Sequence, residues 1–269
     1  MRDSAYRQVP FALSEIDHAY GDRTHVLADP LGLSLLARLG HPETHQPDIN
    51  RLLDRCYTIL FAAMVNDLFP RKQVEAATRM CEAIPGASYQ GEAIDPATKV
   101  VFIGLARAGT LPAYQGFALL NDLCDASGLR VDHVYMQRRT DEQGRVVGVD
   151  QTGSKIGGDV DGAVVVLPDP MGATGSSMSD AIDVVKNIEG TPKAIVGLHL
   201  IITPEFVARV CGDHPDAHIY ALRLDRGLSS EDVLAARPGE RDGEVGVNEI
   251  HYIVPGAGGL GEVINNSFV

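Results

Sequence analysis

The chain has 269 residues, 45% hydrophobic and 22% charged, with a formal net charge of −13 at pH 7. That length allows one domain with a substantial core, and the acidic balance excludes a broad nucleic-acid or anionic-membrane surface, which needs clustered Lys and Arg. Cys56, Cys81, Cys124 and Cys211 stand far apart, with no C-x-x-C and no paired His spacing. They read as reduced thiols, with no disulfide framework and no zinc site.

Residues 1–27 are polar and mixed, and read as an N-terminal extension of a single domain spanning 1–269, draped over the body or partly without order. "INRLLDRCYTILFAAMVNDLF", 49–69, has apolar positions at helical spacing and predicts a long buried helix. A second helix, "RKQVEAATRMCEAI", is expected after Pro70. Then the texture changes to short apolar runs: "TKVVFIGLA" (98–106), "VDHVYMQ" (131–137), "GAVVVLP" (162–168), "KAIVGLHLII" (193–202) and "AHIYALRL" (217–224). Helices are expected between them, around 111–126, 175–189 and 204–212. Continuous apolar strands alternating with helices predict an α/β fold with a central parallel sheet covered on both faces. Two stretches break the alternation. Residues 138–159 are polar and glycine-rich and read as a projecting hairpin arm, and 229–249 read as a charged insertion. No basic-then-apolar leader opens the chain and no apolar run approaches a membrane span, so a cytoplasmic protein is expected.

The chemistry concentrates in "VVVLPDPMGATGSSMSDAIDVVKN", 164–187. A buried strand ends at Asp169, where the carboxyl edge of a parallel sheet places ligands. Pro170, Met171, Gly172, Ala173, Thr174, Gly175, Ser176 and Ser177 then form a tight loop into a helix. Glycines let backbone approach a ligand, and the N–H groups at a helix start bind anions. An ionised Asp accepts hydrogen bonds only, which suits sugar hydroxyls rather than phosphate. Together these read as a cradle for a ribose 5-phosphate. No Lys follows the last glycine, so it is not a P-loop. A Gly/Ser turn that only caps a helix is the plain alternative, and the order of strand, acid, loop and helix argues against it.

"DPMGATGSS" resembles the D-P-M-x-A-T-G-G-S loop of uracil phosphoribosyltransferases, within the type I phosphoribosyltransferase fold. Further segments are similar and in the same order: "ADPLGLSLLARL" (28–39), "GLARAGTLPAYQG" (104–116), "VYMQRRTDE" (134–142) and "HYIVPGAGGLGEVI" (251–264). The resemblance implies an enzyme that couples uracil, or a related base, to phosphoribosyl diphosphate. It further implies that Arg107 meets the diphosphate, with Arg138 (or the adjacent Arg139) as a second contact. Ile253, Gly258, Gly259 and Leu260 would form a C-terminal hood around the base. Mg²⁺ would travel on the diphosphate, with no protein metal site, and the protein would form a homodimer or larger assembly. The literal G-x-G-x-x-G of Gly256, Gly258 and Gly261 is then no dinucleotide turn, since no long helix and no acid twenty residues on follow it. Where the family has Asp, this sequence has Gly259; Glu262 keeps an acid at the second acidic position, and Gly172 stands for a larger apolar residue. The loss at 259 leaves open a second expectation, a non-catalytic protein of the same fold that binds phosphoribosyl diphosphate or a nucleotide.

Overall fold

A computed structural model of the chain describes residues 5–140 and 146–267, with 137–140 and 146–151 described by backbone alone. The first elements are β1 (Thr24–Val26), α1 (Pro30–Leu39), α2 (Asp48–Leu68), β2 (Arg71–Ala77), β3 (Ser88–Ile94), β4 (Val100–Ala106), α3 (Thr110–Asn121) and β5 (Leu129–Thr140). There follow β6 (Val146–Lys155), β7 (Val164–Pro168), β8 (Met171–Gly172), α4 (Ser176–Lys186), β9 (Ala194–Ile202), α5 (Pro204–Asp213), β10 (His218–Leu224), α6 (Glu231–Leu234) and α7 (Leu260–Val263).

The main sheet runs β1-β10-β9-β7-β4-β5-β6, with β8 beside β9. Its pairings are parallel except that of β6, which returns antiparallel along β5. The apolar runs are continuous because both faces are covered. Val100, Phe102, Val164, Val166 and Leu198 pack toward Tyr57, Phe61 and Met64 of α2. Their neighbours Val101, Ile103, Val165 and Leu167 pack toward Ile182, Phe206 and Val210 of α4 and α5. Period-two alternation thus divides each strand between two cores. Each fully buried Leu or Phe contributes about 1.5–3 kcal/mol.

Three expectations are revised. The helix expected at 71–84 is strand β2 followed by a 3₁₀ turn, Arg79–Glu82. β2 pairs antiparallel with β3, from Arg71↔Ile94 to Ala77↔Ser88, as a two-stranded ribbon apart from the main sheet. Cross-strand pairing here overrides the helical propensity of Lys, Gln, Glu and Ala. Within 1–27, Thr24–Val26 joins the main sheet as β1, its edge strand, paired with β10. The helix expected to reach 126 stops at Asn121.

The 138–159 segment is largely the β5–β6 hairpin, a ladder that reaches Thr140↔Val146. Residues 229–249 wrap around a mostly buried ion pair, Arg226–Glu244, at 2.7 Å. Arg226 also donates to the carbonyls of Val233, Leu234 and Ala236, and Glu244 accepts from the Tyr20 hydroxyl and the Gly239 N–H. The insertion and the N-terminal residues are therefore tied to one another.

Candidate functional site

The chain leaves β4 toward β5 on one side, whereas β7, next to β4 on the other side, is followed outward by β9 and β10. The order reverses between β4 and β7, and ligands bind in open α/β sheets at the carboxyl ends of strands flanking such a point. The two turns singled out in the sequence leave the sheet there: Arg107 follows β4 and Asp169 follows β7. They are close neighbours, because a Cβ at Gly109 would lie 2.4 Å from the Pro168 carbonyl oxygen. Only glycine fits between them.

The loop after β7 is held from beneath. The Asp169 N–H donates to the Leu198 carbonyl at 3.0 Å, and the Leu200 and Ile201 N–H groups donate to the carbonyl of buried Pro170. Met171 and Gly172 pair with Ile201 and Ile202 as β8. A Cβ at Gly172 would sit 2.8 Å from the Phe206 ring, so that ring occupies the space of the larger residue expected at 172. Thr203 Oγ1, fully buried, donates to the Ala173 carbonyl at 2.5 Å and accepts the Phe206 N–H at 3.1 Å, fixing the loop to the start of α5.

The loop ends at Gly175, in the left-handed conformation (φ +80), as the residue before α4. Ser179 donates to the Gly175 carbonyl, so the N–H groups of Ser176, Ser177 and Met178 precede that bond at the helix start. Asp29 and Thr203 cap α1 and α5 with their side chains, whereas no side chain caps α4. The hydroxyls of Thr174 and Ser176 stand 3.2 Å apart at the same place. Donors thus gather at a helix start that follows half-buried Asp169 in the same loop, an arrangement suited to an anion with hydroxyls beside it.

Arg107 is exposed, and its Nη1 donates to the hydroxyl of Ser267 in the C-terminal turn. Arg138 and Arg139 lie on β5; their side chains fall outside the described residues. The C-terminal segment meets the β4 turn where Gly261 approaches Ala108. The Ile253 and Leu260 side chains point into the core, while Gly258 is exposed and Gly259 half-buried. A Cβ at Gly259 would lie 2.6 Å from Glu262 Oε2, so the Glu262 carboxylate occupies the space that a side chain at 259 would enter. Gln46 supports this turn by donating to the carbonyls of Val263 and Ile264. Among the described residues no group of three or more His, Cys, Asp or Glu side chains is arranged to hold a metal ion.

Several supporting residues escape sequence reading. Tyr57 of α2 is fully buried beneath the loop, donates to the Leu198 carbonyl, and has its hydroxyl pKa raised by burial and by the Asp169 charge. His199 of β9 is fully buried against Phe206, and burial lowers its pKa to about 3. Arg223 and Asp225 at the end of β10 bind each other and Gly256. Only the last pair left a trace in the sequence: two opposite charges, two residues apart, close an otherwise apolar strand.

A family model described as uracil phosphoribosyltransferase matches residues 26–240. A uracil phosphoribosyltransferase of Pyrobaculum arsenaticum is 30% identical over 247 residues, 92% of this chain and 95% of that protein. Another, from Rhodococcus jostii, is 28% identical over 239 residues, 88% of this chain and 95% of its own length. The solved structure of a protein from Aquifex aeolicus superposes with a TM-score of 0.68 at 19% identity, covering 91% of this chain and 99% of that one, a likeness of fold. By the match over most of its length, the chain belongs to the uracil phosphoribosyltransferase family.

Proposed function

We propose that the protein joins uracil to phosphoribosyl diphosphate, giving uridine monophosphate and diphosphate, and so recovers a free pyrimidine base in the cytoplasm. One observation carries the reading. The Asp169–Ser177 loop sits at the switch point of the sheet, beside the Arg107 turn, and runs into a helix start that no side chain caps. In the reaction a ring nitrogen of the base bonds to C1 of the ribose as the bond from C1 to the diphosphate oxygen breaks. The nitrogen's proton leaves to water, and the diphosphate departs with the bonding electrons.

No side chain is required as a nucleophile, so positioning and charge stabilisation dominate. The α4 start with Thr174, Ser176 and Ser177 holds the 5-phosphate, and Asp169 accepts the ribose hydroxyls. Arg107 exchanges Ser267 for the diphosphate and strengthens its contact as that group departs, with Arg138 or Arg139 as the second cation. Mg²⁺ would be held by the oxygens of the diphosphate and by water, and the Asp169 carboxylate is the site's hard oxygen donor that would accept from such a hydrated cation. When bound, the ion neutralises charge on the leaving group. The base lies against the backbone of Gly258 and Gly259, and Glu262 supplies the acid that position 259 lacks. A homodimer or larger assembly completes the proposal.

Purified protein incubated with Mg²⁺, phosphoribosyl diphosphate and uracil should yield uridine monophosphate. No product across pH 6–9, the range spanning ordinary His and Cys titration, would overturn the reading. Calorimetric binding of phosphoribosyl diphosphate without turnover would instead identify a non-catalytic binding protein.

A further inference from the structure

One ion pair holds both polar groups of a single glycine. Arg223 Nε and Nη2 donate to Asp225 Oδ1 and Oδ2 at 2.6 and 2.7 Å. The Gly256 N–H donates to the same Oδ2 at 2.8 Å, and Arg223 Nη2 donates to the Gly256 carbonyl at 3.0 Å. Asp225 is only 3% exposed. Gly256 lies two residues before Gly258, at the root of the C-terminal turn, and takes a left-handed φ of +61. The guanidinium's two-pronged contact thus orients the carboxylate that accepts from the turn.

The pair is itself fixed to the sheet beneath the loop. The Asp225 N–H donates to the Ile202 carbonyl at 2.8 Å, one residue before Thr203, whose hydroxyl holds Ala173. Gly246 is wedged between the Asp225 carbonyl and the Thr203 side chain, donates to Glu205, and accepts from the Val254 N–H. The loop at 169–177 and the turn at 255–262 are thus set from adjacent strand ends, β9 and β10.

We infer that Arg223 and Asp225 are positioning residues for base recognition: they fix Gly256, and through it the backbone at 258–259, at the height of the reacting carbon. A buried ion pair is weak support for stability by itself, since desolvation offsets much of its attraction. Its distinctive contribution is a defined orientation of the turn. The inference deepens the uracil reading and rests on it for its kinetic part.

The test uses the full-length protein and the variants Asp225→Asn and Arg223→Lys. Asn keeps the shape but replaces an accepting oxygen with a donor amide, and Lys keeps the charge but loses the two-pronged contact. Each should raise KM for uracil about tenfold or more, while KM for phosphoribosyl diphosphate stays within about twofold, the pattern of a selective loss of base binding. Amide hydrogen exchange should accelerate in peptides covering 251–262 and remain unchanged in those covering 164–187. Equal shifts of both KM values, no shift of either, or exchange accelerated equally in both segments would overturn the inference. Should the Asn variant fail to fold, the Lys variant decides. If the wild-type protein turned over no uracil, the proposed function would fall, and localised exchange would still decide whether the pair positions the turn.

Discussion

Thr203→Val tests whether the phosphate-facing loop is held from behind. Valine keeps the shape of threonine and removes its hydroxyl. Two hydrogen bonds disappear: donation to the Ala173 carbonyl at 2.5 Å and acceptance from the Phe206 N–H at 3.1 Å. The Phe206 N–H is left buried and the Ala173 carbonyl part-buried, around a side chain with no solvent exposure. Each buried unsatisfied group costs about 1–3 kcal/mol, and loss of the α5 cap lies within that range. The expected total is ~3 kcal/mol. With an unfolding entropy of about 2.1 cal/mol/K per residue, a chain of this size should melt ~5 °C lower. Because Ala173 is the loop's midpoint, the same change should weaken ribose 5-phosphate binding about tenfold and leave diphosphate binding nearly unchanged, as the Arg107 turn is built on another strand. Melts followed by calorimetry with each ligand read both effects. A variant that melts within about 1 °C of wild type, or loses affinity for both ligands equally, would refute the reasoning.

Asp169→Asn should weaken ribose 5-phosphate binding by roughly 1.5–3 kcal/mol, about ten- to a hundredfold, by calorimetry. Arg107→Ala should depress turnover more than ground-state binding in steady-state assays, and the reverse pattern in the two variants would exchange the assigned ends of the site. Gly259→Asp sets a second carboxylate beside Glu262, whose flexible side chain must swing away from a Cβ at 2.6 Å; like-charge repulsion should lower the melting temperature at pH 7, and the double variant with Glu262→Gln should melt higher than the single one. A single variant as stable as wild type would show that the two carboxylates do not repel each other there. For His199, burial lowers the folded-state pKa from 6.5 to about 3, so between these values the unfolded chain binds one more proton. Stability is therefore lost as pH falls through this window, by ~2 kcal/mol at pH 5, and chemical denaturation of His199→Leu should show a shallower loss from pH 7 to pH 5. Equal slopes in the two proteins would refute it.

The readings that succeeded from sequence were those whose physical cause is local. Val164–Pro168 and Ala194–Ile202 are apolar at nearly every position because each is buried on both faces, and a run of β-branched residues carries that condition in itself. The Asp169–Ser177 loop was legible as a turn from strand to helix for the same reason: its glycines, hydroxyls and the helix start lie within nine consecutive positions. Residues 71–84 failed because nothing in "RKQVEAATRMCEAI" announces the partner strand at 88–94, and helix-forming side chains on an open ribbon read as a helix. Thr24–Val26 is a strand only because β10, almost 200 positions later, presents an edge to it. In the site, the sequence marked which residues carry hydroxyls and charge, whereas only the folded chain brought Thr203 to Ala173, Glu262 to Gly259, and Arg223 and Asp225 to Gly256. Such contacts depend on strand order and on the meeting of distant turns, and residue type encodes neither until the sheet has brought those turns to one edge.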